Sequence, residues 1–171
     1  MSQTPPPRID AHFVAAGKYH DIDHARLEVL KLLAEHPQIR TTVACNYSDI
    51  DRLNACQFLV TYTCDLMPSP EEAAAISAWL DKGGKWLALH GTNSILVFTE
   101  SGLVDTPGDR PDVMDMLGTQ FKAHPPIGPF HVEVVNHDHE LTRGIADFDV
   151  VDELYLSHTT ADIDLLMQTR F

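Results

Sequence analysis

Residues 69–91 read SPEEAAAISAWLDKGGKWLALHG, and this stretch decides the fold. Ser69-Pro70-Glu71-Glu72 supplies an N-cap, a proline at the first helical position and the glutamate of a capping box. Ala75, Ile76, Trp79 and Leu80 share one helical face, which makes the segment amphipathic. Gly83-Gly84 stops the helix, because glycine tolerates the backbone a helix terminus needs. Lys85 to Leu89 (KWLAL) then reads as a strand and leads straight into His90-Gly91-Thr92.

The same grammar extends upstream. Ile9 to Ala16 (IDAHFVAA) reads as another buried strand, closed by Gly17. His24 to Glu35 predicts a helix with Leu27, Leu30 and Leu33 at helical spacing, and Val29 and Leu32 widening the stripe. Asp21 or Asp23 caps its start, and Pro37 lies beyond its end. Arg40 to Cys45 and Gln57 to Thr63 supply two further strands. Strand, helix, strand, strand, helix, strand specifies an α/β fold with helices on the faces of a parallel sheet. Right-handed crossovers narrow this to a flavodoxin-like three-layer sandwich with a mostly parallel central sheet.

Downstream the pattern is less regular. A loop at residues 101–110, a short helix at 111–117 and a Pro/Gly loop at 123–129 precede strands at 130–135 and 150–156. Residues 163–170 read as a strand cut short at the terminus. The length of 171 residues fits a single domain over residues 1–171, with 1–8 as a loose N-terminal tail.

The net charge of −13, from 25 acidic and 12 basic residues, excludes the usual nucleic-acid binders and disfavours anionic membrane surfaces. No apolar run approaches the roughly 20 residues that span a bilayer. Cys45, Cys56 and Cys64 form no C-x-x-C pair, and no signal segment precedes them, so the expectation is a cytoplasmic protein with free thiols.

In open α/β sheets, ligands bind beyond the carboxyl ends of the strands. Three segments reach that edge: Gly17 to Asp21, Cys64 to Met67, and His90 to Asn93. His90 and His20 are candidate catalytic acid–base groups there, and Asp21, Gly91, Thr92 and Asn93 are candidate substrate contacts. Of ten histidines, His20, His90 and His124 are the candidates for proton transfer or for holding a divalent ion such as zinc or manganese. Most of the others read as surface residues of an acidic protein. In Asp152-Glu153-Leu154-Tyr155, strand alternation would turn Glu153 and Tyr155 to one side as acid/base and hydrogen-bond donor, with Asp152 as a substrate contact. The competing reading is an edge strand with solvated charge. No G-x-G-x-x-G, Walker loop or G-x-S-x-G elbow is present, so no dinucleotide is expected.

Taken together, these motifs resemble the ThuA-like family. Gly83 to Gly91 is similar to its glycine pair followed by a strand ending in His-Gly. Leu117-Gly118 with Phe121 and His124 resembles its "LG…F…H" segment. His139 to Ile145 resembles its "HP-I-T-x-G-L" turn, with Glu140 where proline is usual, and Asp152 to Tyr155 matches "DELY". The resemblance covers Tyr19 to Tyr155 and implies a class I glutamine amidotransferase-like fold linked to trehalose or related sugar utilisation. It also implies a further Gly-rich segment after Phe171. Amidotransferases place a cysteine nucleophile before the His-Gly pair. Leu89 stands there, so the resemblance implies no glutamine amidotransferase chemistry.

The leading expectation is an enzyme acting on a small sugar or oxidised-sugar derivative. His90, His20, Glu153 and Tyr155 would be catalytic and His124 would contact substrate, with a homodimer as the expected assembly. The alternatives are a non-catalytic sugar-binding or regulatory domain, and a metal-dependent hydrolase.

Overall fold

β1 (Ile9–Gly17) is the inner strand on which the sheet is built, and its Ala11, Phe13, Val14 and Ala15 are all buried. The structure, a computed structural model, describes residues 6–171. Of the expected tail, Met1 to Pro5 lie outside the described residues, and residues 6–8 are exposed without regular structure.

α1 (Ile22–Ala34) starts where the Asp21 carboxylate accepts from the His24 backbone N–H. Ile22, Val29 and Leu30 pack on Phe13, Ala15 and Val60, but Leu27 and Leu32 are exposed, against expectation. At 100° per residue, both fall roughly 100° from the centre of the stripe set by Ile22, Val29, Leu30 and Leu33. β2 (Ile39–Ala44) follows. Next comes α2 (Ile50–Ala55), which the sequence reading did not contain. Two parallel strands need a crossover, and this six-residue helix, capped by Asp49, lies on it. Its one buried residue, Leu53, gives no periodic stripe to detect.

β3 (Phe58–Cys64), α3 (Pro70–Asp81) and β4 (Lys85–Leu89) follow the expected plan. The Ser69–Glu72 capping box is formed in both directions. The strands run parallel in the order β2-β1-β3-β4, the flavodoxin-like order. Val14 and Leu59 bury one face against Leu53, Ile76 and Trp79, while α1 covers the other. That is the three-layer α/β sandwich. A short hairpin of β5 (Val97–Phe98) and β6 (Val104–Asp105), then α4 (Pro111–Leu117), complete a compact unit that ends at Leu117.

Residues 118–171 form a second compact unit. It contains β7 (Thr119–Ala123), β8 (Gly128–Val134), β9 (Phe148–Asp152), β10 (Leu156–Thr159) and β11 (Met167–Gln168). β7 pairs with β10, and β8 lies between β11 and β9, all antiparallel. Two expectations change here. β9 ends at Asp152, so Glu153 to Tyr155 form a link rather than a strand, with Leu154 buried inside it. The strand expected over residues 163–170 is only the two residues of β11. Among the described residues, no helix is long and apolar enough to cross a membrane.

Candidate functional site

In the first unit, three neighbouring parallel strands end in left-handed backbone. Tyr19, Asp65 and His90 have φ of 70°, 51° and 49°, and they are the only non-glycine residues with positive φ among those described. Each such residue costs roughly 1–2 kcal/mol, and such strain concentrates where a binding site over-determines the backbone. The chain leaves β1 through Gly17, where a Cβ would lie 2.2 Å from the Cys64 carbonyl oxygen. The Lys18 N–H then donates to that carbonyl at 3.1 Å, which aims Tyr19 and His20 over the sheet edge.

Asp65 ties the edge together. Its backbone N–H donates to Ser94 O at 3.2 Å. One carboxylate oxygen accepts from the Leu96 N–H at 3.1 Å, and the other takes the Lys18 ammonium at 2.7 Å. The hydrogen bond to Asp65 also raises the Lys18 pKa, which keeps the ammonium charged.

His90 opens a 3-10 turn, His90–Asn93, directly after β4. Leu89 is still extended at φ −107° and ψ 143°, so the strained position at this strand-to-helix turn belongs to His90. The resemblance had placed Leu89 where amidotransferases carry their nucleophile, whereas the elbow-like residue of this fold is the histidine itself. The turn is pressed onto β3. The Thr92 hydroxyl lies 3.1 Å from that of Thr61 and donates to Leu89 O at 2.8 Å, while a Cβ on Gly91 would come within 2.9 Å of the Cys64 side chain.

The result is an imidazole pair. His90 Nε2 lies 3.4 Å from His20 Nδ1, with ring centroids 4.3 Å apart and planes at 69°. The Tyr62 ring stacks on His90 at 5.5 Å and 16°. Both histidines are half-buried at the strand ends, where ligands enter folds of this type.

The second unit holds a different group. His124 Nε2 lies 4.0 Å from a Glu153 carboxylate oxygen, and the His124 ring stacks on Tyr155 at 6.2 Å and 21°. Phe121 backs Tyr155 at 4.5 Å. His124 Nδ1 lies 2.8 Å from Pro125 O, so Nδ1 carries the donated proton and Nε2 faces Glu153. Glu153 and Tyr155 thus meet through a common histidine rather than through strand alternation.

The remaining candidates do local structural work. Asp21 caps α1, Gly91 and Thr92 are buried beneath the turn, and Asn93 closes it half-buried. Asp152 is exposed and accepts the Glu153 N–H at 2.8 Å. Tyr62 and Asp65 were missed. The available signals were a phenol two residues before the end of the third strand, and a carboxylate at its first loop position.

The sheet order defines a flavodoxin-like α/β protein, with two histidines meeting at its strand-end edge. The chain belongs to the ThuA family, described as trehalose utilisation, whose profile matches residues 12–171. It is similar in structure to a ThuA-like protein from Bacteroides uniformis, with TM-score 0.75 and 19% identity over 99% of this chain and 71% of that one. A ThuA-like protein from Parabacteroides merdae gives TM-score 0.74 and 10% identity over 95% of this chain and 68% of that one. No curated protein matches the chain.

Proposed function

We propose that the protein is a carbohydrate-metabolism enzyme acting on a small sugar or oxidised-sugar derivative, with His90 and His20 as its acid–base pair. The observation carrying this reading is the 3.4 Å contact between His90 Nε2 and His20 Nδ1 at a strained strand end. Between two neutral imidazoles at that distance, one nitrogen donates the proton that the other accepts. A base and an acid therefore stand side by side. Tyr62 fixes the plane of the His90 ring from its face. Membership of a trehalose-utilisation family supports a sugar as the ligand. His124, Glu153 and Tyr155 form a separate candidate acid–base group within the second unit.

The reading carries with it a small-molecule sugar ligand, a cytoplasmic setting, no nucleic-acid or membrane partner, and a homodimer that sedimentation would test. It is tested by assaying trehalose and its singly oxidised derivatives with the wild type and with His90→Ala and His20→Ala. Turnover lost in both variants, with sugar binding retained, supports the enzyme. Sugar binding by a wild type with no turnover supports the non-catalytic domain instead.

The same distance favours a second reading. Two imidazole nitrogens bound to a tetrahedral zinc at about 2.05 Å are about 3.4 Å apart, so His20 and His90 fit as two ligands of one ion. The ion would polarise a sugar oxygen or a bound water. His124 belongs to the acid–base group of the second unit in this reading. Elemental analysis of purified wild type and His90→Ala separates the readings: metal present in the first and lost in the second supports the ion.

A further inference from the structure

Tyr19, the residue directly before His20, belongs to an apolar surface that the acid–base reading does not use. Tyr19 and Phe98 are 57% and 55% exposed, and their ring centroids are 5.9 Å apart with planes at 56°. Val97, Leu103 and Val104 of the same hairpin are also exposed.

Two features indicate that this placement is built. Tyr19 is one of the three residues held in left-handed backbone, and it directly precedes His20. The aromatic rings are also brought together by one carboxylate. Asp65 holds Lys18, next to Tyr19, through one oxygen, and it holds the Leu96 N–H, two residues before Phe98, through the other. The hairpin is closed by its own turn, where the Thr99 N–H donates to Leu103 O at 2.8 Å and the Leu103 N–H donates to Thr99 Oγ1 at 3.1 Å. Two aromatics fixed at the surface, next to a polar pair that can hydrogen-bond, match an amphipathic ligand.

We infer that Tyr19 and Phe98 form a stacking subsite for a pyranose ring, adjoining the His20–His90 pair. A pyranose presents a C–H face to an aromatic ring while its hydroxyl rim stays wet, and exposed aromatics with a polar neighbour suit such a ligand. The occupant is therefore the second ring of a two-ring sugar whose first ring meets the histidines. This inference rests on the acid–base reading above.

The test is titration of the full chain with trehalose, by calorimetry and by ¹H NMR, in the wild type, Tyr19→Gly, Phe98→Ala, Phe98→Leu and His90→Ala. Tyr19→Gly removes the ring and tolerates the left-handed backbone, and Phe98→Leu keeps apolar bulk without the π face. Because both side chains are exposed, the variants are expected to fold, and circular dichroism checks this. The expected result is a trehalose Kd raised roughly tenfold in Tyr19→Gly and in both Phe98 variants. The wild type should also move sugar C–H resonances upfield by ring current. That shift should be lost in the aromatic variants and kept in His90→Ala.

Unchanged Kd and unchanged ring-current shifts in the aromatic variants would overturn the subsite, while lost turnover in His90→Ala would leave the enzyme reading standing. A wild type that binds no trehalose would overturn the subsite, and one that also neither binds nor turns over the singly oxidised derivatives would overturn the enzyme reading. A Phe98→Ala protein that changes oligomeric state with sugar binding intact would make the patch a protein interface, and the subsite would fall.

Discussion

Each unit gathers histidine with polar or aromatic side chains, and the two do so by opposite means. In the first unit, the His20–His90 pair is held by backbone. Parallel strands in fixed register end at one edge, and the chain pays for its exit there with left-handed residues at Tyr19, Asp65 and His90. In the second unit, His124 and Tyr155 pack on Phe121 and Glu153 approaches His124, on short antiparallel strands and a link without regular structure. None of the three has positive φ. A site fixed by backbone strain is rigid and intolerant of change. A site fixed by side-chain packing should lose less when one member is altered.

The largest expected effect is on turnover. His90→Ala should lower it by roughly 10²- to 10⁴-fold, the range for a positioned acid or base, whereas Tyr155→Phe should cost roughly tenfold. Equal losses in steady-state kinetics would break the contrast between the units. His90→Gly sharpens it. Glycine accepts the left-handed backbone, so turnover should fall as far as in His90→Ala while stability rises by about 1 kcal/mol in denaturant melts.

Backbone tolerance gives the next effect. Gly17→Ala must place a Cβ 2.2 Å from the Cys64 carbonyl at φ 124°, so the strand exit has to shift. A loss of roughly 3 kcal/mol or more is expected. Gly144→Ala, in the second unit, also has positive φ, but a Cβ there meets nothing within 4 Å. About 1 kcal/mol is expected for it. Similar losses for both in urea unfolding would mean that the first sheet edge is softer than its geometry implies.

The smallest effects are on pH dependence, and they have opposite signs. Burial lowers the pKa of His12, whose ring lies 2.8 Å from the Thr42 hydroxyl within β1 and β2. The folded chain disfavours its protonated form, so its contribution is complete above the unfolded value near 6.5 and is lost as pH falls below it. His131, hydrogen-bonded to Asp149 at 2.8 Å, has a raised pKa. Its contribution is complete below 6.5 and is lost as pH rises through its folded value. Thermal melts between about pH 5 and 8 should lose the acid-side slope in His12→Asn. The alkaline-side slope should fall slightly in His131→Asn, less because that ring is exposed. A shared sign would refute the assignment of burial to one and ion pairing to the other.

Legibility in the sequence follows the range of the forces involved. The α3 capping box, the β4 run and the Asp21 cap of α1 were readable because each depends on residues within a few positions. α2 was not, since one buried leucine leaves no period. The exposure of Leu27 and Leu32 was misread because five apolar residues were taken as one wide stripe, while the sheet accepts only a narrow one. At the strand ends, His90 was marked by its place between a short apolar strand and a glycine, although β4 is an edge strand with Leu87 exposed. Its contact with Tyr62 was not, because that needs the register in which Tyr62 sits opposite Leu89. Glu153 and Tyr155 were named with the wrong geometry, because β9 stops at Asp152.

The sequence by itself determined the alternation of helices and strands, the parallel sheet and the histidines delivered to its edge, because periodicity and capping act locally. Only the tertiary structure decided that His20 and His90 touch, that His90 is the strained residue, and that Asp65 bonds both Lys18 and the Leu96 N–H. Those contacts join residues 70, 47 and 31 positions apart. Register and loop closure, which no local pattern encodes, set which of them meet.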